Sequence, residues 1–168
     1  TIAFQDIVNH IKVIADNFRD HAIILRMKII NHGDTKKIMD ICKDIENFFL
    51  CADYSQEKIS YRLCKDSDLI ISVQTSLAEE CLAYGKKVIF INELFPISNI
   101  CESIYPKIFH FAISKNPLET LKLAKSCFKN NKFINENYLN LKNELKGDSN
   151  ISKENYIPYI IEKILLSK

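Results

Sequence analysis

The chain lacks an excess of charge of either sign. Its 23 Lys and Arg face 21 Asp and Glu, a net charge of +2, so no strong field points to nucleic acid or to an anionic membrane as a partner. The lysines lie scattered among the acidic residues, as on a solvated surface. Any apolar run longer than a strand is also missing. Runs such as residues 22–25 and 69–73 are strand-length and too short to cross a bilayer as a helix. Residues 1–20 hold no apolar stretch of the kind that marks a secretory signal. The six cysteines, Cys42, Cys51, Cys64, Cys81, Cys101 and Cys127, show no CxxC spacing, which argues against a zinc site. Most stand inside apolar patterns, where a free thiol behaves as a small buried hydrophobe. We expect reduced thiols and a reducing cytosolic compartment. No histidine is placed by position as the partner of a cysteine nucleophile. Internal repeats and low-complexity segments are absent.

What is present is an alternation of helical and strand patterns. Ile7, Val8, Ile11, Ile14, Ala15 and Phe18 recur at helical spacing and predict a helix over residues 4–19. Residues 22–30, apolar and β-branched, predict a strand. Asn31-His32-Gly33-Asp34 reads as a turn, with Asp34 capping a helix over 35–46. A short strand is expected over 48–51, a helix over 55–65, a strand over 68–73, a helix over 76–84 stopped by Gly85, and a strand over 87–91. A loop with Pro96 and Pro106 precedes a strand over 107–113, and Asn116-Pro117 opens a helix running to about Phe128. Residues 131–146 and 153–166 read as helices parted by the turn at 147–150. Strands thus alternate with helices about every 20 residues, which implies βαβ units, a parallel sheet and helices on both faces. The chain opens on a helix. Either residues 22–30 form the central strand, or that strand lies upstream of Thr1.

One stretch concentrates the chemistry. Residues 66–90, DSDLIISVQTSLAEECLAYGKKVIF, read as strand, turn, helix, turn and strand. Thr75 and Ser76 stand at the turn, and Glu80 follows Ser76 by one helical turn on the same face. Hydroxyls, helix-N-terminal amides and a carboxylate therefore gather at the carboxyl end of a buried strand, where open α/β sheets bind ligands. Amides at a helix start attract anions, and a diphosphate is such an anion. A plainer reading makes Ser76 an N-cap with Glu79 completing a capping box.

These residues resemble a pattern in the carboxyl-terminal domain of GT-B glycosyltransferases, as found in bacterial capsule, lipopolysaccharide and teichoic-acid transferases. Asp68 takes the aspartate place of that pattern, Thr75 and Ser76 the hydroxyl pair, Glu80 the glutamate, and Gly85 and Lys86 the glycine-lysine. Ile59-Ser60-Tyr61-Arg62-Leu63 resembles the helix that precedes the strand in that family. Three positions depart from it: Ala78 stands in place of glycine, Lys87 in place of proline, and Cys81 in place of alanine. The resemblance implies a nucleotide-sugar bound by Thr75, Ser76 and Glu80, with Glu80 accepting hydrogen bonds from a ribose or sugar. It also implies that basic residues near the end of the first strand approach the donor phosphates, and Arg26 and Lys28 share one face there. The alternative for this pair is an edge strand whose wet face carries gatekeeper cations. His32 stands where related transferases carry a histidine, though Gly33 follows it instead of proline; the alternative is a solvated turn residue. His10, His21 and His110 read as structural.

Tyr54, Ser55, Gln56 and the loop Asn92-Glu93-Leu94-Phe95-Pro96 fall on the same rim, with Phe95 either stacking on a base or plugging the core. The 129–146 segment carries too little net charge for a membrane-surface helix and reads as an amphipathic helix packed on the sheet or on a domain outside this sequence.

The expectation is one three-layer, Rossmann-like α/β domain over 1–168, with a core over 1–128 and carboxyl-terminal helices over 129–168. It corresponds to the donor-binding half of a GT-B enzyme and so to a fragment of a longer two-domain protein. That enzyme transfers a sugar from a nucleotide-sugar donor to a surface-glycan acceptor, needs no cofactor or metal, and works in the cytoplasm or at the inner face of the membrane. Any peripheral membrane attachment belongs to a domain outside this sequence. Acceptor and catalytic base come from the other lobe, so no catalytic residue is named. The alternatives are an enzyme resembling a UDP-sugar 2-epimerase and a non-catalytic interaction domain.

Overall fold

The structure is a computed structural model and describes residues 4–27, 32–51, 57–73, 76–91, 112–129 and 132–147. The elements run α1 (Phe4–Asn17), β1 (Ile23–Arg26), α2 (His32–Cys42), β2 (Phe48–Cys51), α3 (Glu57–Asp66), β3 (Ile70–Ser72), α4 (Ser76–Ala83), β4 (Val88–Ile91) and β5 (Ile113–Ser114). Two helices follow, α5 (Pro117–Phe128) and α6 (Lys132–Gly147). All the strand pairings among the described residues are parallel. β1 pairs with β2 in the register Ile23–Phe48, and β4 lies between β3 and β5, with Ile70 opposite Val88 and Phe90 opposite Ile113. This is the alternating, Rossmann-like α/β architecture that the sequence pattern predicts.

Successive residues of a strand point to opposite faces, so their burial reports what covers each face. Val88 and Ile89 of β4 are both fully buried, hence the β3-β4-β5 sheet is covered on both sides at its middle. Its core gathers Ala78, Cys81 and Leu82 of α4, Ala124 and Cys127 of α5, and Ile134 and Tyr138 of α6. The β1-β2 pair differs. Ile23, Leu25, Phe48 and Leu50 pack with Val8 and Ile11 of α1 and Ile38 and Cys42 of α2, whereas Ile24 and Phe49, opposite each other on the other face, are 46% and 55% exposed. Among the described residues, both faces are therefore covered at β4, whereas the face with Ile24 and Phe49 is not. Ile23 packs against both cores and joins them.

Local chemistry sets the element ends. Asn116 caps α5 by accepting from the Glu119 amide at 2.9 Å, with Pro117 in the first turn. Glu119 in turn accepts from the Lys115 amide at 2.7 Å. α4 closes with a Schellman motif: the Lys86 amide reaches the Cys81 carbonyl and the Gly85 amide the Leu82 carbonyl, with Gly85 at φ 83°, the left-handed conformation that favours glycine there. Where sequence and structure differ, tertiary contacts decide. α2 begins at His32, so His32 and Asp34 lie in the first helical turn rather than in a turn before it. An acidic residue is well tolerated at that point by the helix dipole. α2 also stops at Cys42, short of residue 46, where the Ile45 amide turns back to the Cys42 carbonyl at 3.0 Å; beyond that turn Asn47 donates from its side-chain amide to the Phe18 and His21 carbonyls at 3.0 and 2.9 Å. Its carbonyl takes the Ile23 amide at 2.8 Å and starts β1. Ala112 is helical and β5 begins only at Ile113; residues 107–111 of the expected strand lie outside the described residues, as does the helix expected over 153–166.

Candidate functional site

The carboxyl ends of β1 and β3 and the start of α4 form the place where the sequence predicts a ligand. β3 ends at Ser72 and α4 begins at Ser76. α4 is held by burial of Ala78, Cys81 and Leu82 at 2%, 4% and 1% exposure, so its first turn is fixed relative to the sheet. Ala78 stands inside that packed face. The glycine that the GT-B pattern places there is replaced by a methyl group that fills the core.

Arg26 is half-buried at the end of β1. Its Nε donates to Ser60 Oγ at 3.1 Å and its Nη1 to the Cys51 carbonyl at 3.2 Å. It thereby ties the ends of β1 and β2 to α3, and both of these acceptors are neutral oxygens. Glu80, half-buried on α4, accepts from Tyr61 Oη at 3.4 Å. Burial, and next the charge of Glu80, hold the Tyr61 hydroxyl protonated above the ordinary tyrosine range. Ser60 and Tyr61 are consecutive on α3, and a helix turns about 100° per residue, so one reaches β1 and the other α4. The structure thus brings Arg26 and Glu80 to neighbouring residues of one helix. The sequence reading did not assign that bridging role. The signal was available as two adjacent hydrogen-bonding side chains on a short helix that must pack between two strands.

Of the other expected site residues, Thr75 and Lys28 lie outside the described residues, as do Tyr54, Ser55, Gln56 and the loop after β4. Ser76 opens α4 and His32 opens α2. Lys86 and Lys87 take structural posts. Lys86 Nζ donates to the Lys65 carbonyl and, at 3.1 Å, to the Ser67 carbonyl, closing the end of α3. Lys87 Nζ donates to the Cys127 carbonyl at 2.6 Å and closes α5. An ammonium among the last carbonyls of a helix is favoured by geometry and dipole, which accounts for a lysine where the GT-B pattern has proline.

Two histidines are structural, as read from the sequence. His10 is 3% exposed, with Nδ1 2.9 Å from Thr120 Oγ1. His21 packs edge-on against Phe18 and Phe128, with ring centroids 5.6 and 4.8 Å away. His110 lies outside the described residues. Among the described residues no group of three or more His, Cys, Asp or Glu could hold a metal ion, and no helix is long and apolar enough to cross a membrane. α6 packs on the sheet as expected, burying Tyr138, whose hydroxyl donates to the Val88 carbonyl at 2.5 Å. No protein-family model, no curated protein and no solved structure matches the chain.

Proposed function

We propose that this chain is the donor-binding domain of a glycosyltransferase that moves a sugar from a nucleotide-sugar to a bacterial surface polysaccharide. The observation that carries the reading is the strand–helix–strand unit over residues 70–91. It folds as a parallel β3-α4-β4 crossover with Ser76 at the helix start and Glu80 one turn in, the arrangement that the GT-B resemblance calls for. Arg26, at the end of another parallel strand, supports it with a cation whose two contacts above are to neutral oxygens. A guanidinium has five N–H donors and a strong preference for phosphate oxygens. In this reading the amides of α4 and Arg26 face the diphosphate, Glu80 accepts from the ribose or sugar, and Thr75, Lys28 and His32 complete the rim. The acceptor and the catalytic base come from a second lobe. Leaving-group charge is then met by fixed dipoles and cations.

The same contacts supply the rival reading. Glu80 is engaged by Tyr61 and Arg26 by Ser60 and Cys51, as in an interaction domain whose helix start is only a cap. Thermal unfolding with UDP, GDP or CDP compounds separates the two. One of these nucleotides at about one hundred times its Kd contributes about 2.7 kcal/mol, a rise in Tm of roughly 5–10 °C for a domain of this size. The double variant Ser76→Ala with Glu80→Gln keeps its circular dichroism and loses that rise. No rise with any of the three nucleotides leaves the interaction domain as the better account.

A further inference from the structure

α3 is anchored differently from the other helices. Each of those buries at least one side chain in a core: Val8 of α1, Ile38 of α2, Leu82 of α4, Ala124 of α5 and Tyr138 of α6. Among the described side chains of α3 none is buried, and Ile59, Leu63 and Cys64 are only half-buried. A segment with few buried apolar contacts opens at a low local free energy. What holds α3 therefore rests more on its hydrogen bonds, and these differ at its two ends.

At the carboxyl end the acceptors are backbone carbonyls. The Ser67 amide reaches the Leu63 carbonyl at 3.0 Å, and Lys86 Nζ donates to the Lys65 and Ser67 carbonyls. In the amino half the partners are two residues of the proposed donor site. Ser60 Oγ accepts from Arg26 Nε at 3.1 Å, and Tyr61 Oη donates to Glu80 Oε2 at 3.4 Å. All four of these side chains are half-buried, so each keeps some surface that a ligand can reach. A phosphate gripped side-on by a guanidinium takes the Nε–H together with an adjacent Nη–H. Ser60 occupies the first of these. Tyr61 likewise occupies a carboxylate oxygen that a sugar hydroxyl would use.

Resting on the donor-site reading, we propose that α3 is a self-inhibitory clasp on that site. Ser60 and Tyr61 hold Arg26 and Glu80 closed, and a nucleoside diphosphate binds by taking both residues over. The amino half of α3 is then released, while Lys86 and Ser67 keep its carboxyl end in place. Binding exchanges bonds rather than adding them, so the closed clasp lowers the affinity of the parent protein. An internal hydrogen bond of ordinary net worth corresponds to about fivefold in affinity. The longer Tyr61 bond corresponds to about twofold.

The test titrates the full chain with UDP, GDP and CDP by calorimetry. Ser60→Ala should tighten the binding of whichever nucleotide the parent takes up by about fivefold, and Tyr61→Phe by about twofold. The double variant should bind more tightly than either. Ser60→Thr keeps the hydroxyl and should bind as the parent does. Amide hydrogen exchange gives a second readout on the parent itself. Bound nucleotide should slow exchange in α4 and speed it in α3, whereas general stabilisation of the domain would slow both. Should the variants misfold, this exchange pattern decides alone. Parent binding that Ser60→Ala and Tyr61→Phe leave unchanged or weaken overturns the clasp and leaves the donor site standing. So does an α3 whose exchange slows together with that of α4. No binding by the parent or by any variant overturns the donor reading and the clasp with it.

Discussion

Thr120→Val should destabilise the fold by removing one oxygen from a buried relay. Thr120 and Ser114 are 0% exposed and His10 is 3% exposed. His10 Nδ1 lies 2.9 Å and Ser114 Oγ 2.5 Å from Thr120 Oγ1, and Ser114 Oγ donates to the Asn116 carbonyl at 2.9 Å. In one proton assignment His10 Nδ1–H donates to Thr120, Thr120 to Ser114, and Ser114 to the Asn116 carbonyl, which also lies 3.3 Å from Thr120 Oγ1 as a second acceptor for its single proton. The relay crosses three elements, joining α1 to the start of α5 and to β5. Valine keeps the shape of threonine but neither accepts nor donates. Ser114 retains its bond to Asn116, so the loss falls on the contacts of Thr120 Oγ1 with His10 Nδ1 and Ser114 Oγ. A buried group deprived of a partner costs about 1–3 kcal/mol, and about 2 kcal/mol is expected here. With a urea dependence of roughly 2 kcal/mol/M, the unfolding midpoint falls by about 1 M. Thr120→Ser keeps the hydroxyl and loses a methyl group, at about 1 kcal/mol. Urea titrations followed by circular dichroism rank the variants parent, Ser, Val. A valine variant as stable as the serine variant would show that Thr120 acts through packing and that the relay contributes nothing.

Three further outcomes are expected. Tyr138 is deeply buried, and burial first of all holds its hydroxyl protonated well above its ordinary value of 10.0. The unfolded chain ionises near that value while the folded chain does not, so this group's contribution is intact below about pH 10 and is lost above it, by about 1.4 kcal/mol per pH unit. The stability gap between the parent and Tyr138→Phe should therefore be about 1 kcal/mol at neutral pH, for the hydrogen bond to Val88, and should narrow above pH 10; a gap unchanged between pH 9 and 11 rules the argument out. Gly85→Ala forces a side chain into φ 83° and should cost about 1–2 kcal/mol, read as a lower urea midpoint with unchanged helical signal. Arg26→Lys keeps the charge but not the fork that spans Ser60 and Cys51, and should reduce any nucleotide-induced thermal shift by at least half; a full shift with lysine would mean that Arg26 serves only the internal contacts.

Much of the fold was legible because strong local signals agree with the tertiary structure. Asn116-Pro117 gives the start of α5 and Gly85 the end of α4, and the apolar spacing over residues 4–19 gives α1, whose Val8 and Ile11 pack with β1 and β2 while its Ile14 joins the other core. The misplaced boundaries share a cause: they are fixed by groups distant in sequence. Nothing local announces that Asn47 will bridge the Phe18 and His21 carbonyls just beyond the end of α2. The exposed pair Ile24 and Phe49 is equally illegible, because β-branched and aromatic residues read as buried strand on either face. At the candidate site the sequence gives Arg26 and Glu80 as separate features. Their convergence on Ser60 and Tyr61 depends on α3 lying between β1 and α4, which is a property of packing and not of any one segment. Lys86 and Lys87 teach the converse. Two lysines after a glycine resemble half of a binding motif, yet each spends its ammonium on the open carbonyls of a neighbouring helix.

That convergence frames the functional question as one of competition. A hydrogen bond within the protein replaces one to water, so its net worth is small, and a ligand that offers a better partner can take it over. Arg26 gives N–H groups to a hydroxyl and a carbonyl, both poorer acceptors than a phosphate oxygen, so a diphosphate gains more from Arg26 than Ser60 and Cys51 lose. The case of Glu80 runs the other way. At 3.4 Å the Tyr61 contact is at the long end of hydrogen bonding, and a ribose hydroxyl at ordinary distance would exceed it. The Arg26 contacts to Ser60 and Cys51 and the Tyr61 contact to Glu80 are thus the ones a ligand would have to exchange under the proposed reading. Under the donor-binding proposal these are the contacts that a diphosphate and a sugar would take over. Under the interaction reading they stay closed, and the nucleotide-induced thermal shift tells the two apart.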